Sequence, residues 1–85
     1  MNDCGWKVYI LRCGDGTLYT GVSTDVERRL KTHNAGRGAK YTRARLPVRV
    51  AYMTAGMSRS EALREENRIK SLTRAKKLMI IEENS

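Results

Sequence analysis

Two stretches rich in β-branched and aromatic residues, Trp6 to Cys13 and Thr17 to Val22, are separated only by Gly14-Asp15-Gly16. Glycine tolerates positive φ, so this triplet marks a β-hairpin. The loop also sets which side chains share a face. A two-residue turn at Asp15-Gly16 pairs Arg12 with Tyr19 and puts Tyr9 and Tyr19 on opposite faces. A three-residue loop with a glycine bulge puts both tyrosines on one face. If the two phenols share a site, the chain needs the second arrangement.

Downstream, Thr24 and Glu27 form a T-x-x-E capping box, so a helix is expected to begin near Asp25. Its apolar stripe is Val26 and Leu30. At about 100° per residue, Arg29 and His33 flank that stripe one turn apart, while Arg28 points away. Residues 35–45 read as a basic loop carrying Arg37, Lys40, Tyr41, Arg43 and Arg45. Residues 47–52 read as a third strand with Pro47 first, where a missing N–H matters least. Ser58 and Glu61 form a second capping box. The helix from Arg59 to about Ser71 has Ala62, Leu63 and Ile69 as its stripe, with Glu66 at the centre. Thr73 caps a last helix with Leu78, Ile80 and Ile81 inward and Arg74, Lys76 and Lys77 outward. The expected fold is an α/β (α+β) domain, a small three-stranded sheet flanked by helices, filling residues 1–85 as a single unit.

Charge and cysteine content narrow the function classes. Seventeen Lys and Arg against nine Asp and Glu give +8, a field that attracts polyanions, of which nucleic acid is the commonest in cells. A basic surface of no special role is the plainer alternative. Cys4 and Cys13 are too few for a disulfide framework and, with a single histidine, for a four-ligand zinc site. They read as two reduced thiols. No apolar run is long enough to span a membrane, and Met1 to Trp6 lacks the features of a signal peptide. A cytoplasmic location is the expectation.

Glu66 is the most informative residue. A carboxylate facing inward should meet a cation, bind a metal or carry a proton. A structural salt bridge, with Arg29 as one partner, competes with metal binding, and Glu65 at the edge of the stripe is the second candidate. The other acidic residues form no cluster with Glu66. A two-metal centre needs several carboxylates, so one hard cation, Mg²⁺ or Mn²⁺, completed by water and phosphate, is the economical arrangement. Tyr9 and Tyr19 are ordinary strand aromatics unless a phenol lies near a metal and an arginine, where the phenolate is favoured and can take a proton from water. Arg29 then suits charge developing on a phosphate. His33 suits the orientation of water, a base or a phosphate contact.

The order of these residues resembles the GIY-YIG nuclease superfamily. Val8-Tyr9-Ile10, then Tyr19-Thr20-Gly21, is similar to the two halves of its motif. Lys7-Val8-Tyr9 stands where the motif has Gly-Ile-Tyr, and Thr20 replaces Ile. Arg29 falls where the superfamily carries its catalytic arginine, and His33 where members carry His or Tyr. The run from His33 to Arg43 resembles small stand-alone members and DNA-junction nucleases. Ala62-Leu63-Arg64-Glu65-Glu66 resembles the helix bearing the metal-binding glutamate, aligned on Glu66. The likeness extends from about Lys7 to Ile81.

The resemblance implies one divalent cation on Glu66 and DNA phosphodiester hydrolysis assisted by Tyr9, Tyr19 and Arg29, with His33 beside them. It leaves open which tyrosine is the base. Gly21 is expected to let backbone approach the substrate. Grip on DNA is expected from Lys40, Tyr41, Arg43 and Arg45, through phosphate contacts and base stacking on Tyr41. Single-stranded or branched DNA is favoured over plain duplex. A non-catalytic nucleic-acid-binding module, or a subunit active only with a protein partner, are the other readings. A monomer is the simplest assembly, and repair, recombination, defence and DNA uptake are equally compatible roles.

Overall fold

The computed structural model describes residues 4–84. Met1, Asn2 and Asp3, part of the N-terminal stretch considered above, and Ser85 lie outside the described residues. Strands β1 (Lys7–Arg12) and β2 (Leu18–Ser23) lead into α1 (Val26–Asn34) and a helical turn, α2 (Lys40–Arg43). Strand β3 (Arg49–Met53), α3 (Arg59–Lys70) and α4 (Arg74–Glu83) follow. The sheet order is β2-β1-β3, antiparallel throughout.

The three-residue loop is the one formed. Cys13 N–H donates to Thr17 at 2.9 Å, and Gly16 N–H to Cys13 at 2.9 Å, with Gly16 at φ 85°. Leu11 therefore pairs with Tyr19, and Tyr9 with Gly21. Directly paired residues share a face, so Tyr9, Leu11, Tyr19 and Gly21 look one way, and Val8, Ile10 and Thr20 the other.

Central β1 is covered on both faces, which is why Val8 to Leu11 is a continuous apolar run rather than an alternating one. On the tyrosine face, Tyr9, Leu11 and Cys13 pack with Val26 of α1 and with Val48. On the opposite face, Val8 and Ile10 pack with Ala62 and Ile69 of α3, beneath Ile80 and Ile81 of α4. Of the two cysteines, Cys13 is buried and Cys4 exposed. Among the described residues no helix is long and apolar enough to cross a membrane.

Several local expectations change. The cap of α1 is Asp25, whose carboxylate accepts from Arg28 N–H at 3.1 Å, because β2 runs on through Ser23 and delays the helix by one residue. The Ser58–Glu61 box forms as read. Strand β3 starts at Arg49, not at Pro47, since the Asn34 side chain takes both the N–H and the carbonyl of Val48, at 2.7 and 2.9 Å. The basic segment is not all loop, because Lys40–Arg43 closes a helical turn. Leu63 is 37% exposed, so the buried line of α3 is Ala62 and Ile69. Glu65 and Glu66 then flank that line on opposite sides, each about 50° away by helical phase.

Candidate active site and nucleic-acid interface

Tyr9 is the centre of the site. Its side chain leaves β1 and lies across Gly21 of β2. A Cβ at Gly21 would sit 2.6 Å from the phenol oxygen and 2.7 Å from Cζ. The space over Gly21, where its backbone was expected to approach the substrate, is therefore filled by Tyr9. Tyr9 is 1% exposed, and burial is the main cause raising its pKa above 10.0. The charges of Tyr19 and Glu66 raise it further, whereas Arg29 lowers it by hydrogen bonding and by charge. The balance keeps the phenol protonated at neutral pH.

His33, from the last turn of α1, is fully buried. Its Nε2 lies 3.5 Å from the Tyr9 hydroxyl, at the outer limit of a hydrogen bond. Its Nδ1 lies 2.9 Å from Thr42 Oγ1 of α2. The Tyr19 ring meets the imidazole edge-on with centroids 5.4 Å apart. Tyr41 stacks on Tyr19 at 6.0 Å, and the Arg45 guanidinium lies 4.1 Å over the Tyr41 ring. Base stacking on Tyr41 must therefore compete with contacts the ring already makes.

Burial, then the Arg29 charge, lowers the pKa of His33 from 6.5. The folded state therefore binds this proton less readily than the unfolded chain. Stability from this group is present above pH 6.5 and is lost as pH falls through the folded pKa. Denaturant unfolding at pH 8 and pH 5 should show the decline, and His33→Gln should lack this part of it. An identical pH dependence in the variant would show that His33 is not its source.

The two candidate glutamates are differently occupied. Glu65 receives Arg68 through two short bonds, 2.7 and 2.8 Å, and its pKa is lowered chiefly by them. Glu66 is 16% exposed and meets Lys70 Nζ at 3.2 Å, one turn along the helix. The competing salt bridge thus exists, but to Lys70 and not to Arg29. Glu66, unlike Glu65, is on the side of α3 whose charge reaches Tyr9. Among the described residues no group of three or more His, Cys, Asp or Glu is assembled to hold a metal. A single carboxylate oxygen donor fits a hard, mostly hydrated cation that shares its sphere with phosphate, and does not fit zinc.

Of the expected DNA contacts, Lys40 and Arg43 are exposed and form no ion pair among the described residues. Arg45 is already engaged: it pairs with Asp15 at 3.1 Å and donates to the Tyr41 carbonyl at 2.8 Å. It thereby ties the hairpin loop to α2.

Sequence reasoning missed Lys70, Arg74 and Lys77. Lys70 and Lys77 line a cleft of about 340 Å³ with Leu18, Tyr19, Thr20 and Tyr41. Arg74 and Lys77 line a neighbouring one of about 240 Å³, also against Tyr41. Lys70 at the end of α3, and Arg74 and Lys77 on α4, look solvated when each helix is read alone; only the folded chain brings them to the clefts lined by Tyr41. A further cleft of about 380 Å³, between Arg12, Gly14, Pro47 and Arg49, contains none of the candidate residues.

Comparison with known proteins identifies the family. Residues 5–79 match the family model of the GIY-YIG catalytic domain. A UPF0213 protein of Streptococcus agalactiae is 57% identical over 77 residues, covering 91% of this chain and 88% of that protein. A UPF0213 protein of Haloquadratum walsbyi is 53% identical over 85 residues, covering 100% of this chain and 94% of that protein. The solution structure of a UPF0213 protein from Bacillus halodurans superimposes with a TM-score of 0.58 at 49% identity, covering 91% of this chain and 82% of that one. The chain belongs to the GIY-YIG catalytic-domain family, and the small UPF0213 proteins are its relatives.

Proposed function

We propose that this protein is an endonuclease that hydrolyses DNA phosphodiester bonds with one divalent cation, Mg²⁺ or Mn²⁺, held on Glu66. The supporting observation is the cluster around one buried histidine: the Tyr9 hydroxyl lies 3.5 Å from His33 Nε2 and the Tyr19 ring meets the same imidazole edge-on at 5.4 Å. The charges of Arg29 and Glu66 bear on the same phenol, the first lowering and the second raising its pKa.

In this reading Tyr9 is the base. As it takes a proton from the attacking water, it passes its own proton to His33. The water oxygen forms the new P–O bond while the bond to the leaving oxygen breaks, and that oxygen takes a proton from solvent. Arg29 faces the phosphate and offsets its growing charge. Tyr19 walls the site and carries Tyr41. A bound divalent cation supplies Lewis acidity to the phosphate oxygens.

The strand enters across Lys40 and Arg43 and leaves along Lys70, Lys77 and Arg74. The narrow, basic, aromatic-lined cleft favours a single strand or a branch point over plain duplex. Removing a cation that contacts phosphate should weaken binding across all sequences and reduce the salt slope by about 1. Lys77→Ala and Arg43→Ala should each do so, measured by fluorescence anisotropy against salt.

The deciding experiment is a gel assay with labelled single-stranded, duplex, flap and junction DNA, and an RNA control, in Mg²⁺, Mn²⁺ or EDTA. Metal-dependent cleavage of the open substrates is expected. Binding without cleavage under every condition would favour a non-catalytic nucleic-acid-binding module, or a subunit that needs a protein partner.

A further inference from the structure

We infer that Thr42 is a positioning residue that fixes the tautomer of His33, so that Nε2 presents a lone pair to the Tyr9 hydroxyl. The Thr42 hydroxyl has one proton and two close oxygen or nitrogen neighbours. It lies 2.9 Å from the Ala39 carbonyl oxygen and 2.9 Å from His33 Nδ1. A carbonyl can only accept. Two oxygens at that distance repel unless a proton lies between them, so the hydroxyl proton belongs to Ala39. Such a bond from a threonine to a carbonyl a few residues back is a normal local pattern. Thr42 Oγ1 must then accept from His33, which puts the ring proton on Nδ1. In a neutral imidazole the other nitrogen is left as an acceptor.

The opposite end of the ring is compatible with this. Burial raises the Tyr9 pKa above 10.0, so the phenol keeps its proton, and its oxygen lies 3.5 Å from Nε2, which can accept it. The resulting chain runs from the Tyr9 hydroxyl to His33, from His33 to Thr42, and from Thr42 to the backbone of Ala39. All three side chains are almost wholly buried, with Tyr9 1% exposed and His33 and Thr42 0%. Water is thereby kept from competing for Nε2. The catalytic consequence rests on the nuclease reading: His33 can take the Tyr9 proton only if Nε2 is bare. The tautomer itself does not rest on that reading.

The chain has 1 histidine, so isotope labelling of histidine nitrogens reports this ring alone. The spectrum should be recorded at pH 8, above 6.5, where the ring is neutral. In the unmodified protein the proton is expected on Nδ1. Thr42→Ser should keep that state. Thr42→Val should lose it, giving the other tautomer or a mixture; Thr42→Ala serves as a second hydroxyl-free variant if the first does not fold. In the cleavage assay, Thr42→Val should lower the rate about 10- to 100-fold, the usual range for residues that orient a catalytic group, with Thr42→Ser close to the unmodified rate. A proton found on Nε2 in the unmodified protein overturns the inference, as does an unchanged tautomer in the hydroxyl-free variants. Failure of the nuclease reading is a separate result, an inactive protein whose His33 nevertheless carries its proton on Nδ1.

Discussion

Glu66→Gln is expected to lower metal-dependent cleavage by more than about 100-fold, because removing even a partner that orients a ligand costs 10- to 100-fold. The substitution keeps the shape of the side chain and removes its charge. Its effect on the fold should be slight: the ion pair lost is a helical i,i+4 contact to a half-exposed lysine, worth about 0.3–0.5 kcal/mol. DNA binding in EDTA should be equal or tighter, since a carboxylate beside the cleft repels phosphate and its loss also frees Lys70. A third readout is independent of metal and DNA. The Glu66 charge raises the Tyr9 pKa, so ultraviolet titration of the variant should show Tyr9 shifted downward, yet still above 10.0 because burial is the larger cause. Cleavage that survived Glu66→Gln would remove the cation from this residue. A cleavage defect accompanied by lost DNA binding would point to damage of the surface rather than to loss of a metal ligand.

Which glutamate to replace illustrates what the sequence could and could not reveal. The helix, its Ser58–Glu61 cap and its general phase are local properties, and they formed as read. The identity of the buried line is not local. Leu63 looks like core in any helical projection but is 37% exposed, because β1 and β2 meet α3 along Ala62 and Ile69 and leave no room for a third row. Without Leu63 the projection treats Glu65 and Glu66 alike. What separates them is long-range: Arg68 occupies Glu65, while the charge of Glu66 raises the Tyr9 pKa. The hairpin is the contrasting case, since Gly14-Asp15-Gly16 sets its register within a few residues. Arg29 and His33 were legible for the same reason, by their spacing within a single helix. Thr42, Lys70 and Lys77 were not, because Thr42 depends on α2 packing against α1, and Lys70 of α3 and Lys77 of α4 meet Tyr19 and Tyr41 at one cleft only in the folded chain.

Gly38→Ala is expected to cost about 1–3 kcal/mol of stability, the range for overpacking a tight site, and to lower cleavage about 100-fold or more, as loss of a general acid–base group does. In most loops the same change is mildly stabilising, because alanine restricts the unfolded chain. Here a Cβ would fall on the His33 ring, overlapping Nδ1 and lying 2.7 Å from Cγ and 2.8 Å from Cε1. A flexible exposed neighbour could swing aside. His33 cannot, since it is fully buried and held by Thr42 on one side and Tyr9 on the other. Moving the ring breaks the contacts at both of its nitrogens. Gly36→Ala provides the control two residues away. Gly36 has φ 77° and open space around its Cα, so alanine there should cost about 1–2 kcal/mol of backbone strain and leave His33 in place. Denaturant unfolding is thus expected to rank the two variants together, whereas cleavage should separate them. Equal loss of activity in both would mean that stability alone governs the rate. Full activity in Gly38→Ala would show that the position of His33 does not matter to the chemistry.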